Sequence, residues 1–182
     1  MARKNDQFEL SGINHLALVC KDMARTVNFY TNVLGMPLVK TIDLPMDMGQ
    51  HFFFDCGAGD CIAFFWFPNA PEAAPGISSA ASLPGKGDLA TAHASMNHVA
   101  FNVPVERFDE YVDKLSAAGV EVSGVANHDD SEWTVSEELH EGVYIRSVYF
   151  FDPDGILLEF ACWTRPLGEQ DALAAPATAI NA

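Results

Sequence analysis

A chain of 182 residues suits one domain, or two half-size units that share a core, and a hydrophobic content of 49% can fill an interior of ordinary size. Its 25 acidic side chains against 10 basic ones give a net charge of -15. That field repels phosphate backbones and anionic lipid, so neither nucleic acid nor a membrane is expected as a partner.

The opening MARKNDQFEL lacks an apolar signal core, and the longest apolar run, CIAFFWF, is too short to span a bilayer. The four cysteines form no CxxC pair and no zinc-type spacing. Together these features read as a cytoplasmic protein with reduced thiols. The first strand is HLALVC, from His15. A helix follows in DMARTVNFYTNVLG, with Asp22 placed to cap its first turn. Val27, Tyr30, Val33 and Leu34 mark the apolar side of this helix, and Gly35 suits the position just past its end. MPLVKTID, GQHFFFD and DCIAFFWF read as three further strands. Residues 68–95, rich in Pro, Ala, Gly and Ser, have no sustained period and form a long linker.

The same order then repeats. HVAFNV, from His98, is a strand, and Pro104 opens the helix VERFDEYVDKLSAAG, whose stripe is Phe108, Tyr111, Val112 and Leu115. VEVSGV, VYIRSVYFF and GILLEFACW read as strands, the last two joined by the turn Asp152-Pro153-Asp154-Gly155. Each half is therefore β-α-β-β-β, over 12–67 and 96–165. The fold class is α+β, with two tandem modules and an Ala-rich flexible tail over 166–182.

Strand alternation places His15, Ala17 and Val19 on one face and leaves Leu16 and Leu18 to pack under the helix. It groups His98, Ala100 and Asn102 in the same way, and Glu159 with Leu157 and Ala161. A carboxylate inside ILLEF is costly to bury unless something cationic meets it. Two imidazoles and a carboxylate converging on one concavity are a ligand set for a divalent metal. His51 reads as structural or pocket-lining, and His93 and His128 as solvated. The aromatic run from Phe52 to Phe54 and from Phe64 to Phe67 turns half its rings toward the concave face, which suits a hydrophobic ligand.

The combination INHLALV, MNHVAFNV and SVYFFDPDGILLEF resembles the vicinal oxygen chelate superfamily, which includes glyoxalase I, bleomycin-resistance proteins, fosfomycin-resistance transferases and extradiol dioxygenases. The likeness covers about Gly12 to Trp163. It implies a cupped mixed sheet of paired βαβββ modules around a metal, with His15, His98 and Glu159 in three of four ligand positions. The fourth should fall near Ile62 or Phe64, neither of which binds metal, with Asp60 the challenger of matching strand parity. A His-His-Glu set with open positions is the arrangement of non-haem Fe(II) oxygen chemistry, so Fe(II) is the expected ion, and Mn(II) or Zn(II) can use the same ligands.

His140, Tyr149, Asp152, Pro153, Gly155 and Glu159 fall at spacings compatible with the extradiol pattern. That likeness implies Tyr149 hydrogen-bonding a substrate oxygen, His140 moving protons, and O2-dependent ring cleavage of a small aromatic, catechol-type substrate. Two alternatives stay open: a metal-dependent isomerase, epimerase or lyase of the glyoxalase type, and a non-catalytic drug- or metabolite-binding protein of the bleomycin-resistance type. The resemblance also implies a homodimer, with modules paired within one chain or exchanged between chains. The linker, around SLPGKGDL, is expected to fold across or beside the mouth of the cup and exclude water.

Overall fold

The computed structural model describes residues 12–173, so the MARKNDQFEL opening and the last part of the expected tail lie outside the described residues. Strand β1 (His15–Cys20) leads into α1 (Met23–Asn28), extended by a wider turn over Phe29–Val33. Asp22 caps α1 as its side chain accepts the Arg25 N–H at 3.0 Å. The chain reverses at Gly35, whose φ of 71° favours glycine. Strands β2 (Leu38–Asp43), β3 (Gln50–Gly57) and β4 (Asp60–Trp66) complete the first module. The second comprises β5 (Val99–Asn102), α2 (Phe108–Ala117), β6 (Ala126–His128), β7 (Ile145–Phe151) and β8 (Leu157–Trp163).

Each module forms a four-stranded mixed sheet, in the orders β1-β4-β3-β2 and β5-β8-β7-β6. The β1/β4 and β5/β8 pairs are parallel, as a β-α-β crossover requires, and the remaining pairs are antiparallel. The α+β tandem-module fold is therefore present, with three local corrections. VEVSGV was expected as a strand, but it contributes only a bridge from Val122 to Phe150, and the strand falls later, at Ala126–His128. The cause lies at Ser123, whose Oγ accepts the Tyr149 N–H at 2.9 Å, a role that a strand carbonyl would otherwise fill. Pro104 has extended backbone angles and precedes a 3-10 turn rather than opening α2 itself. Residues 166–173 are not featureless: a short turn over Glu169–Asp171 is held by Arg165, which donates to Asp171 at 2.7 Å.

The two modules pack through their helix-bearing sides. Tyr30, Phe54, Ile62 and Phe64 of the first share one buried cluster with Leu115, Phe150 and Leu158 of the second. Tyr30 is fully buried and its hydroxyl donates to Asp152 Oδ2 at 3.3 Å, across the module boundary. Asp152 also holds the turn into β8, its Oδ1 accepting the N–H groups of Asp154 at 2.9 Å and Ile156 at 2.8 Å. The opposite sheet faces, bearing His15, Ala17, Val19, His98, Ala100 and Asn102, are exposed. All four cysteines are free thiols. Among the described residues no helix is long and apolar enough to cross a membrane.

The linker is ordered against the second sheet. Ala80 and Leu83 are buried with Leu157, and Tyr149 and Phe151 pack at the edge of that cluster.

Candidate metal centre

On the second sheet, alternation and register bring three side chains to one face. Ala100 is opposite Glu159 and Tyr149 is opposite Glu159, so the face of Glu159 also carries His98 and Tyr149. His98 Nε2 lies 3.0 Å from Glu159 Oε2. The His98 ring meets the Tyr149 ring edge-on, with centroids 5.7 Å apart. Glu159 is buried and His98 about one third exposed, so the pair sits where the sheet face opens to solvent.

Burial acts to raise the Glu159 carboxyl, but the His98 bond, the adjacent Ser147 hydroxyl and the charges of His98 and His128 outweigh it and hold the group below its ordinary value. Burial first, and then the Glu159 charge, push the Tyr149 phenol up to about 12. Tyr149 is therefore a proton donor at neutral pH, not a base. Ser147 Oγ is fully enclosed beside these groups yet makes no hydrogen bond of good geometry.

The paired Asn-His dipeptides now have a common explanation. Asn97 Oδ1 sits 2.9 Å from His98 Nδ1, and Asn14 Oδ1 sits 2.8 Å from His15 Nδ1. An amide oxygen only accepts, so with that oxygen toward the ring Nδ1 carries a hydrogen, and a neutral ring then presents its lone pair at Nε2. The Nε2 lone pair of His98 then faces a carboxylate at 3.0 Å, an arrangement that repels unless a cation, proton or metal ion, lies between them. One imidazole nitrogen and one carboxylate oxygen so disposed fit a divalent transition ion.

His15 lies on the other sheet, its ring edge-on to Phe53 with centroids 5.5 Å apart. Among the described residues no three His, Cys, Asp or Glu side chains come together within the single chain, so His15 stands apart from His98 and Glu159. His140 also lies elsewhere. Its Nε2 is 3.0 Å from Asp129 Oδ2 and its Nδ1 accepts the Gly142 N–H at 3.1 Å, so both ring nitrogens are occupied in pinning a loop.

The expected place of a fourth ligand needs correcting. Ile62 and Phe64 are buried in the shared cluster beneath the helix, not on the cup face. The register pairs His15 with Cys61 and Ala17 with Ala63. In the second module the residue two beyond His98, Ala100, faces Glu159, so the counterpart of Glu159 is Ala63. An alanine cannot coordinate, and Asp60, sharing parity with Ile62, is on the wrong face.

Ser147 escaped the sequence reading, His128 was expected to be solvated, and His51 was read as structural or pocket-lining. Ser147 and His128 reach the face of Glu159 through β7 and β6, a placement visible only once β6 is set at Ala126–His128. His51 stacks on Phe65, with centroids 3.6 Å apart and an 11° tilt, and its Nε2 is buried without a partner. Alternation from Phe53 puts His51 on the face of His15, and burial with the nearby His15 charge lowers its pKa.

Two tandem β-α-β-β-β modules, each opening on an Asn-His pair and the second closing on a buried glutamate, define a class of paired-module proteins with two four-stranded mixed sheets. The chain belongs to the Glyoxalase/Bleomycin resistance protein/Dioxygenase superfamily, whose family profile matches residues 12–160. It is 24% identical over 157 residues to the fosfomycin resistance protein FosX of Listeria monocytogenes, covering 85% of this chain and 92% of that one. It is 25% identical over 160 residues to 4-hydroxyphenylpyruvate dioxygenase of Daucus carota, covering 85% of this chain but 36% of that one. The crystal structure of the Listeria monocytogenes FosX complexed with Mn(II) and sulfate superposes with a TM-score of 0.53 at 23% identity, covering 86% of this chain and 95% of that one, which supports the fold.

Proposed function

We propose that this protein is a divalent-metal-dependent enzyme that acts on a small oxygenated substrate by redox-neutral chemistry, such as ring opening, isomerisation or elimination. The supporting observation is the His98 Nε2 and Glu159 Oε2 pair, two lone-pair donors converging at 3.0 Å on a face that also carries Tyr149. His15 completes the ligand set from the partner subunit of a homodimer, because its own chain does not deliver it while both ligand-bearing faces remain exposed. With Ala63 in the fourth position, ligand sites remain for two adjacent substrate oxygens.

A bound Mn(II), Fe(II) or Zn(II) ion would polarise the substrate oxygens and stabilise developing negative charge. His98, His15 and Glu159 would hold it. Tyr149, a protonated phenol at neutral pH, donates a hydrogen bond to the oxygen on which charge builds. Phe53, Phe65 and Trp163 line the two cup faces and exclude water around an apolar or aromatic body. His140 is assigned no proton transfer, since both its nitrogens are engaged.

The FosX relatives support this reading, because the likeness spans nearly their whole length. A second reading, O2-dependent cleavage of a catechol-type substrate at Fe(II), draws on the open three-ligand set and the aromatic cup. Turnover of epoxide, hydroxy-ketone and catechol panels with Mn(II) under nitrogen, against O2 uptake with Fe(II), separates the two. Subunit mixing tests the composite site. His15→Ala and His98→Ala each abolish metal binding alone, and random exchange of the two restores roughly a quarter of the sites. No recovery on mixing overturns the shared site.

A further inference from the structure

We propose that the linker between the modules is a positioning strap that dictates which nitrogen of His98 is free to bind. The proposal rests on reading His98 as a ligand. Asn97 Nδ2 donates to the Leu89 carbonyl at 2.7 Å and lies 3.3 Å from Thr91 Oγ1. A backbone carbonyl can only accept, so the NH2 end of the Asn97 amide must face the linker and its oxygen must face His98. That oxygen, 2.9 Å from Nδ1, in turn requires hydrogen on Nδ1. The linker therefore orients the amide, the amide selects the tautomer, and the tautomer presents the Nε2 lone pair toward Glu159.

The strap has its own anchors. Ala80 and Leu83 are 2% and 4% exposed and pack on Leu157, two residues before Glu159 on the same face. Lys86 pairs with Glu121, and the Ala92 N–H donates to the Ile77 carbonyl at 3.2 Å. A segment seated in this way holds the Leu89 carbonyl at a fixed place over Asn97. Asn97 is thus a positioning residue, and the linker acts as a brace for the site.

The experiment reads the hydrogen on Nδ1 directly, by nitrogen-15 NMR of the metal-free protein. Wild-type His98 should carry a hydrogen on Nδ1, whether or not a second one on Nε2 meets Glu159. Asn97→Ala should strip Nδ1 of its hydrogen and leave one on Nε2, where it can donate to Glu159, and weaken Mn(II) binding roughly 10- to 100-fold with an unchanged circular dichroism spectrum. Asn97→Asp keeps the acceptor and so keeps hydrogen on Nδ1. It loses the donor to Leu89, and hydrogen exchange across residues 80–92 should accelerate. A wild-type His98 with no hydrogen on Nδ1, an Nδ1 hydrogen unchanged in Asn97→Ala, or unaltered linker exchange in Asn97→Asp would each overturn the proposal. If the tautomers behave as described but the wild type binds no Mn(II), the strap stands and the metal reading fails.

Discussion

Asp152 offers a direct test of how the two modules hold each other. The residue is 5% exposed, and its carboxyl caps the turn into β8 and receives the Tyr30 hydroxyl from the first module. Burial raises it from its ordinary 3.8 to about 6, against the opposing pull of the Ile156 and Asp154 N–H groups. That difference is worth about 3 kcal/mol. A carboxyl raised on folding favours the native state while protonated, so its contribution is complete below about pH 4 and disappears as pH climbs through about 6. Asp152→Asn mimics the protonated form, with its amide oxygen able to accept the same two N–H groups. Urea unfolding of both proteins from pH 4 to 7.5 isolates this group, because every other titration cancels in the difference. The wild type should lose about 2.5 kcal/mol relative to the variant across that span, because part of the loss already lies below pH 4. Parallel stability profiles, or a variant destabilised equally at every pH, would refute the reasoning.

Three further outcomes follow from particular contacts. Ala63→Glu, which places a carboxylate at the counterpart of Glu159, should tighten Mn(II) binding at least roughly tenfold while suppressing turnover, measured by chelator competition and steady-state assay. Gly49→Ala puts a Cβ 1.9 Å from the Trp66 carbonyl at a φ of 132°, and should cost roughly 3 kcal/mol in a denaturant titration. Phe108→Ala empties a fully buried position beneath the Arg146 guanidinium, 4.5 Å from the ring centre, and should lower unfolding free energy by about 3–5 kcal/mol without altering metal affinity.

Much of this architecture is legible in the sequence because strand alternation carries the information locally. His15, His98 and Glu159 each sit among apolar residues of opposite parity, so the side chain that turns away from the helix can be counted off directly. DCIAFFWF resists that count. Every candidate from Ile62 to Phe65 is apolar or small, and only the pairing of His15 with Cys61 decides that Ala63 shares the face of His15. The displacement of β6 has a similar origin, since VEVSGV alternates well enough and the Ser123 hydroxyl diverts its ladder only when β7 is beside it. The linker lacks any period because Ala80 and Leu83 pack on a strand far along the chain, a nonlocal contact. The separation of His15 from His98 likewise depends on which sides of the modules meet, which no single segment encodes.

The cluster that joins the modules also governs how the chain melts. Phe54 and Phe64 close over Phe150 and Leu158, so each half uses the other as its lid of hydrocarbon, and if they part the second keeps only the smaller cluster of Val103, Phe108, Val148 and Cys162. The tandem sequence therefore behaves as one thermodynamic unit. Heat or denaturant should carry it through a single cooperative transition, and either half expressed alone should remain an unfolded, aggregation-prone fragment.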